Sequence, residues 1–188
     1  MRFRVGALTM STTGRRAFLQ WVLGGVVSLP GIGPLVGCFW PRRLDASERA
    51  VLVAASSRIL PSDGGPGARE AGVIEYIARA LAGRYHAGLR PLFSEGVRRL
   101  NRMARAGWRR PFVDLEPEEQ DRILLHFEVG RANEAAFDGS EFFHRLLELT
   151  LEGFLGDPVH GGNAGEVGWR SLGLSLGGPR PGPCRRHG

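Results

Sequence analysis

The sequence contains no lysine and only two cysteines, Cys38 near one end and Cys184 near the other. Two cysteines exclude a disulfide framework and a zinc site of the CxxC type. All 25 basic residues are therefore arginines, and seven of them lie outside residues 39–176. Inside that range 18 arginines are balanced by 19 acidic residues, so the overall charge of +6 comes from the two ends of the chain. Proteins that bind nucleic acid carry an excess of basic residues in the domain that binds it. We therefore predict that the folded body of this protein binds no nucleic acid.

The sequence also lacks the spacing patterns of common catalytic sites. Its five histidines form no HExxH motif and no pair at i, i+4, which excludes a helical zinc site. His126 and His144 could meet across two helices, but a structural position is the simpler interpretation of both. No serine has the strand-turn-helix setting of a nucleophile elbow, and the glycine-rich turn at 64–67 lacks the lysine of a P-loop. We predict no catalytic, cofactor-binding or metal-binding residue in this chain, and hence no enzyme activity of its own.

Residues 1–38 have the order of charge and hydrophobicity that is typical of an export signal. Arg15 and Arg16 precede an uncharged run of 25 residues that includes Phe18 and Leu19. This arrangement resembles the twin-arginine export signal of bacteria, which a receptor reads and which serves cargo that is already folded. The pattern predicts export by the twin-arginine machinery to the periplasm, or to the periplasmic face of a bacterial membrane.

The leader ends in the tetrapeptide Leu-Val-Gly-Cys at Cys38, which resembles the lipobox of bacterial lipoproteins. In that interpretation Cys38 is lipidated and becomes the new N-terminus. Two alternatives remain open, namely cleavage at another small residue within 31–37 and retention of the run as an anchor. The run is longer than the about 20 residues that a membrane span needs. Translation could begin at Met1 or at Met10.

The rest of the chain is predicted to form one all-α domain at residues 45–176, between a linker at 39–44 and a disordered tail at 177–188. Asp45 followed by Glu48 matches a capping box at the start of the first helix. Pro117, preceded by Glu116 and followed by acidic residues, is typical of a helix start. Apolar periodicity predicts five helices, at 46–60, 68–81, 89–106, 117–127 and 140–154.

Apolar stripes mark the inward faces of these helices, those of the third and fifth among them. In the third helix the pattern directs Leu89, Phe93, Val97, Leu100 and Ala104 inward. Its arginines are then predicted to form a solvated outer face, with a partner surface as the alternative; they are Arg98, Arg99, Arg102 and Arg105. In the fifth helix the predicted inward residues are Phe143, Leu146, Leu147, Thr150, Leu151 and Phe154.

A segment rich in glycine follows the last predicted helix. It contains Gly-Asp-Pro-Val-His-Gly-Gly-Asn at 156–163 and then Gly-Trp at 168–169. Glycine, proline and asparagine at this density predict a tight loop with positive φ angles. The residues of interest are Phe154, Asp157, Pro158, Gly161, Gly162, Asn163 and Trp169. They have two compatible roles, namely attaching the loop to the helices and forming part of a partner interface with Phe154 and Trp169 as anchors.

This GDPxxGGN and GW arrangement resembles the C-terminal signature of the gluconate 2-dehydrogenase subunit 3 family, also called the gamma subunit. Residues 58–73, which contain Arg-Ile-Leu-Pro and Gly-Pro-Gly-Ala-Arg-Glu-Ala-Gly-Val, resemble its N-terminal signature. The resemblance covers about residues 46–174. It implies an accessory subunit without a cofactor. Its implied partners are an FAD-containing dehydrogenase subunit of the glucose-methanol-choline type and a cytochrome c subunit with haem c.

A different class of function also accounts for the leader and for the absence of catalytic motifs. The chain would then be a free-standing helical lipoprotein of the envelope that binds a small ligand or acts as a scaffold. A flavoprotein partner that lacks its own leader favours the first function, and its absence favours the second.

Overall fold

The computed structural model of the protein describes residues 43–174. The chain divides into two units, Met1–Cys38 and Phe39–Gly188, and the described residues all belong to the second. The predictions for the tail at 177–188 and for most of the linker lie outside the described residues, as do those for the leader residues Arg15, Arg16, Phe18, Leu19 and Cys38.

The described residues form six α-helices and four short 3-10 helices, without a β-strand. The α-helices are α1 (Ala46–Ile59), α2 (Val73–Ala82), α3 (Arg90–Trp108), α4 (Pro117–Glu128), α5 (Gly139–Leu155) and α6 (Val167–Ser171). The 3-10 helices are Ala87–Leu89, Phe112–Asp114, Pro158–His160 and Ala164–Glu166. The predicted all-α class is confirmed. The five predicted helices are present, and the structure adds the short α6 within the segment predicted to form a loop.

Both predicted helix starts carry the expected caps. The Asp45 carboxylate accepts the backbone N–H of Glu48 at 2.8 Å, and the Glu48 carboxylate accepts the N–H of Asp45 at 3.0 Å. At the start of α4, where Pro117 occupies the first turn, the Glu119 carboxylate accepts the N–H of Glu116 at 2.9 Å, and the Glu119 N–H donates to the backbone carbonyl of Glu116 at 3.0 Å. These contacts satisfy N–H groups that have no partner inside the helix.

The second helix begins five residues later than the sequence pattern predicts. Residues 68–72 form turns instead, and Gly72 has a left-handed conformation with φ of 64° directly before α2. The Glu70 carboxylate accepts the N–H of Gly67 at 2.9 Å and the hydroxyl of Ser62 at 2.6 Å, so these side-chain bonds stabilise the turn. Such local bonds compete with the helix for the backbone N–H groups.

The centre of the core is a cluster of phenylalanines from α3, α4 and α5. The ring of Phe142 meets Phe93 and Phe127 edge to face, with centroid separations of 5.4 and 5.6 Å. It also lies on Gly96 of α3, where an added Cβ would come within 2.4 Å of the ring. Four of the five predicted inward residues of α3 are buried, and the fifth, Leu89, is half-buried.

This packing corrects the predicted stripe of α5. Phe142 and Leu149 are buried, whereas Phe143 is half-buried and Leu151 is 42% exposed. The stripe is therefore rotated around the helix, because Phe142 fills the space above Gly96. The helix also begins one residue earlier than predicted, at Gly139, because Asp138 caps it by accepting the N–H of Glu141 at 3.0 Å.

The predicted solvated position of Arg99 is wrong. Its side chain is only 10% exposed, and it forms ion pairs with Glu95 at 2.8 Å and with Glu134 at 2.5 Å. The guanidinium also lies 4.4 Å from the ring centroid of Phe137. Partners that are distant in sequence therefore draw this arginine against the core, while Arg98, Arg102 and Arg105 remain exposed as predicted.

Candidate functional site

The candidate site is the segment between the end of α5 and the end of α6. Gly156 terminates α5, and the Asp157 carboxylate accepts the N–H of Val159 at 2.9 Å. Pro158 occupies the first position of the following 3-10 turn, where its missing N–H costs nothing. The chain then reverses at Gly161, whose φ of 109° favours glycine.

Asn163 holds the two sides of the loop together. The residue is fully buried, and its backbone has a left-handed conformation with φ of 48°. Its amide nitrogen donates to the carbonyl of Gly156 at 3.0 Å, and its amide oxygen accepts the N–H of Gly168 at 2.8 Å. An aspartate could not supply the donor, and a longer glutamine would not fit the same two positions. The asparagine of the motif is therefore explained by this geometry.

Two glycines of the motif allow the loop to pack directly on the end of α5. A Cβ added at Gly162 would lie 2.0 Å from the carbonyl oxygen of Gly153, and one added at Gly168 would lie 2.1 Å from that of Phe154. Real Cβ atoms do not approach an oxygen so closely. Glycine at 162 and 168 is therefore required by the contact between backbones.

Trp169 attaches α6 to α5. Its indole N–H donates to the backbone carbonyl of Leu155 at 2.6 Å, and the residue is 9% exposed. Phe154 is also buried, at 7% exposure. Both aromatic side chains are therefore buried against the helices. Any surface that a partner contacts here is formed by the exposed residues beside them.

Those neighbours are apolar and exposed. Leu155 is 42% exposed and presents its carbonyl to Trp169, while Leu174 is 50% exposed and donates its N–H to the Trp169 carbonyl. Leu151 lies one turn before Leu155 on the same face of α5, and Leu172 is 60% exposed. We call these four residues the exposed leucine rim: Leu151, Leu155, Leu172 and Leu174.

The two sequence segments that resemble family signatures lie against each other in the fold. The N–H of Ala164 donates to the carbonyl of Ala71 at 2.9 Å, and a Cβ added at Gly72 would lie 3.6 Å from that of Ala164. The guanidinium of Arg79 donates to the carbonyl of Val159 at 3.3 Å. The sequence showed both segments but contained no signal that they touch.

Tyr76 and Glu152 join the same two elements, α2 and α5, through their side chains. The phenol donates to the Glu152 carboxylate at 2.9 Å. Burial raises the pKa of Tyr76 to about 12, and the hydrogen bond to Glu152 and its negative charge act in the same direction. Sequence reasoning missed this pair, because residues 76 apart carry no spacing signal.

The remaining candidate residues do not form a further cluster. His126 and His144 are both exposed, and the His144 Nδ1 lies 2.7 Å from the carbonyl of Ser140, one turn earlier on its own helix. Among residues 43–174 no group of three or more His, Cys, Asp or Glu side chains could hold a metal ion. In the same part of the chain no helix is long and apolar enough to span a membrane.

Comparison with known proteins gives one finding. The family model described as gluconate 2-dehydrogenase subunit 3 matches residues 46–177. Searches of curated proteins and of solved structures gave no match. The matched range covers about 70% of the chain and contains both signature segments together with all six helices. The chain therefore belongs to the gluconate 2-dehydrogenase subunit 3 family, whose members are subunits of a dehydrogenase complex.

Proposed function

We propose that this chain is the non-catalytic small subunit of an exported, membrane-associated dehydrogenase complex that oxidises a sugar or an alcohol. In that complex it supports the export and assembly of an FAD-containing subunit of the glucose-methanol-choline type. The observation that carries the proposal is the family match over nearly all of the described body. A cytochrome c subunit with haem c is the proposed electron acceptor.

The polar side chains of the body support a structural role. Arg58 and Asp121 form a bidentate pair with both distances at 2.8 Å, which joins α1 to α4. Arg90 and Glu48 form a largely buried pair at 2.5 Å, which joins α1 to α3. These charged side chains already have partners within the chain and hold helices together. We therefore assign the redox chemistry and its cofactors to the partner subunits.

The leader supports the proposed role in export. A flavoprotein folds around its cofactor in the cytoplasm, and the twin-arginine machinery accepts folded cargo. One leader on the small subunit, carrying Arg15 and Arg16, would then transport the whole complex to the periplasmic side of the membrane. Lipidation of Cys38 would anchor the complex there, whereas cleavage at another site would release it.

A complex that survives transport needs a stable interface. Specific interfaces bury more than about 1,000 Å² in total and have an apolar centre with a polar rim. The exposed leucine rim supplies apolar side chains of this kind, and the buried Trp169 holds them on a fixed support. We propose that this face meets the flavoprotein subunit.

The test is deletion of this gene in the native host while the flavoprotein gene remains. We expect the flavoprotein to stay in the cytoplasm and dye-linked dehydrogenase activity to disappear from the envelope. Re-expression of the chain from a plasmid should restore both, which controls for effects on neighbouring genes. A flavoprotein that reaches the periplasm in normal amounts without this chain would overturn the export role. If affinity-tagged chain isolated from the envelope carries no flavoprotein at all, the free-standing lipoprotein becomes the better explanation.

A further inference from the structure

The exposed arginines of α3 form a stripe beside a small recess in the surface. Arg98, Arg102 and Arg105 are spaced at i, i+4 and i+7, which places them on one side of the helix. Arg131, in the connection between α4 and α5, and Arg102 both line a recess of about 130 Å³. The recess is lined by Arg99, Arg102, Met103, Arg131, Ala132 and Glu134.

The positive charge of this surface is only partly balanced. Glu95 is shared, at 2.7 Å from Arg98, 2.8 Å from Arg99 and 4.0 Å from Arg102. Glu134 is bound to Arg99 at 2.5 Å. Within residues 43–174 no ion pair involves Arg105 or Arg131. An excess of guanidinium groups therefore surrounds the recess.

Arg99, which lines the recess, already has partners, because its guanidinium lies against Phe137 and pairs with two carboxylates. Arg102 is different: its side chain is 64% exposed, and its nearest acid lies at the limit of an ion pair. Arg131 is exposed as well. Two exposed arginines thus line the recess and can meet an incoming anion, and the planar fork of a guanidinium fits a carboxylate with two parallel hydrogen bonds.

We propose that this recess binds an aspartate or glutamate side chain of the flavoprotein subunit, between Arg102 and Arg131. The proposal rests on the function proposed above. It gives the complex a second, polar contact on α3, separate from the residues of the exposed leucine rim. Arginine in such a position is frequent at protein interfaces, where it forms charge-assisted hydrogen bonds.

One observation favours a protein carboxylate over the phosphates of a membrane surface. None of the exposed large apolar residues in the described range belongs to α3. A helix that binds a membrane surface inserts an apolar face beside its basic residues.

The absence of lysine permits a direct test. Arg102→Lys or Arg131→Lys creates the single lysine of the chain, which a zero-length carbodiimide can couple to a carboxylate in contact with it. The complex is isolated through a tag on the small subunit, treated with the carbodiimide, and separated under denaturing conditions. Arg84→Lys is the matched control, because Arg84 is exposed and lies outside the stripe and the recess.

We expect both test variants to yield a covalent adduct with the flavoprotein subunit, linked through an aspartate or glutamate that peptide mass spectrometry identifies. The control should give at least about tenfold less. Coupling to Glu95 or Glu134 of the same chain does not change the electrophoretic mobility of the small subunit. An adduct with the flavoprotein subunit migrates as a larger species. An intact complex without the adduct, or with equal adduct in the control, would overturn the proposal and leave the proposed function standing. A wild-type chain that retains no flavoprotein would overturn both.

A second measurement uses reversed charge. Arg102→Glu plus Arg131→Glu should weaken the complex about tenfold or more in 50 mM salt, and the difference should shrink in 500 mM salt because exposed charges are screened. Arg69→Glu plus Arg84→Glu is the control of equal charge, and circular dichroism confirms folding of each variant. Binding of the free chain to vesicles with 30% phosphatidylglycerol is measured in parallel. Loss of vesicle binding with an unchanged complex would assign the stripe to lipid and refute the carboxylate contact.

Discussion

The indole of Trp169 donates a hydrogen bond of 2.6 Å to the backbone carbonyl of Leu155, fourteen residues earlier in the chain. Leu155 is the last residue of α5, so its carbonyl has no partner within the helix. The bond therefore satisfies a helix end and attaches α6 at the same time. Leu172 and Leu174 follow Trp169 in the chain, and with α6 attached in this way both side chains are exposed to solvent.

Trp169→Phe removes the donor and keeps most of the apolar ring. We expect the free energy of unfolding to fall by about 1–2 kcal/mol, from the lost hydrogen bond and the small space that remains. Urea denaturation monitored by circular dichroism measures the change. The control is Trp108→Phe, since the Trp108 indole donates no hydrogen bond to the described residues. Equal losses in the two variants would contradict the assigned role of Trp169.

Gly162→Ala tests the contact between the loop and the end of α5. The new Cβ would lie 2.0 Å from the carbonyl oxygen of Gly153, so the loop must move away. We expect a loss of about 3 kcal/mol or more, at the upper end of the range for overpacking. Gly107→Ala is the control, because a Cβ there meets no atom within 4 Å and alanine favours the helix. That variant should be more stable than wild type by up to about 1 kcal/mol.

Neutralising Glu48, the partner of Arg90, should lower the free energy of unfolding more than neutralising an exposed glutamate. Their side chains are 15% and 10% exposed, and Glu48 also accepts from Ser94 at 3.0 Å. Glu48→Gln removes the negative charge that the buried guanidinium faces, so we expect a loss of about 2–4 kcal/mol. Glu75→Gln, which breaks the more exposed pair with Arg49, should cost less than about 1 kcal/mol. A cost for Glu48→Gln no larger than that control would refute the assignment.

The pKa of Glu48 also predicts part of the pH dependence of the free energy of unfolding. Burial acts to raise the pKa of Glu48, but hydrogen bonds from Arg90, the Asp45 N–H and Ser94 together lower it below the ordinary 4.5. A lowered folded-state pKa means that the stabilisation is complete above pH 4.5 and is lost as the pH falls through the lower value. In Glu48→Gln the slope of unfolding free energy against pH should therefore be smaller below pH 4.5, as measured by urea denaturation at a series of pH values.

Tyr76 predicts a change at the opposite end of the pH scale. The chain has two tyrosines, so Tyr85→Phe leaves Tyr76 as the only phenol. Ultraviolet titration of that variant should show a midpoint near 12 instead of the ordinary 10.0. The pKa is raised, so the stabilisation is complete below pH 10 and is lost as the pH rises through about 12. Adding Glu152→Gln should lower the midpoint, because it removes the negative charge; an unchanged midpoint would contradict the contribution of Glu152.

The export signal is tested by Arg15→Lys plus Arg16→Lys. Lysine keeps the positive charge but lacks the planar guanidinium, so a receptor that reads the pair should reject the variant. We expect the chain to accumulate in the cytoplasm, as measured by cell fractionation and immunoblotting. Arg42→Lys plus Arg43→Lys alters another adjacent pair and should leave export unchanged. Wild-type amounts of the first variant in the envelope would show that this pair is not the address.

Much of the helical framework was determined by local sequence. The Asp45 and Glu48 capping box, the Glu116 and Pro117 start and the Phe93 stripe all depend on residues within a few positions of each other. Short-range chemistry of this kind is independent of the rest of the fold. The glycine-rich segment was likewise predicted as a tight loop, because glycine and asparagine tolerate positive φ at Gly161 and Asn163.

The tertiary structure decided the features that depend on distant partners. Phe142, and not Phe143, faces the core because Gly96 on another helix leaves room for its ring. Arg99 is drawn inward by Glu134, which lies 35 residues later in the chain. When the apolar residues of a helix fit two adjacent sides of it, the sequence alone does not show which side is buried. The shape and charge of the neighbouring helices decide this.

The candidate site shows the same division. The sequence by itself determined that residues 156–163 form a turn-rich loop and that the chain has the two family signatures. Only the fold placed Ala164 against Ala71, buried Trp169 and exposed the leucines beside it. The physical reason is that Ala164 and Ala71 lie about 90 residues apart, so their contact depends on how the four intervening α-helices, α2 to α5, pack around one phenylalanine cluster. The positions of Trp169 and the leucines then follow from the attachment of α6 to the end of α5.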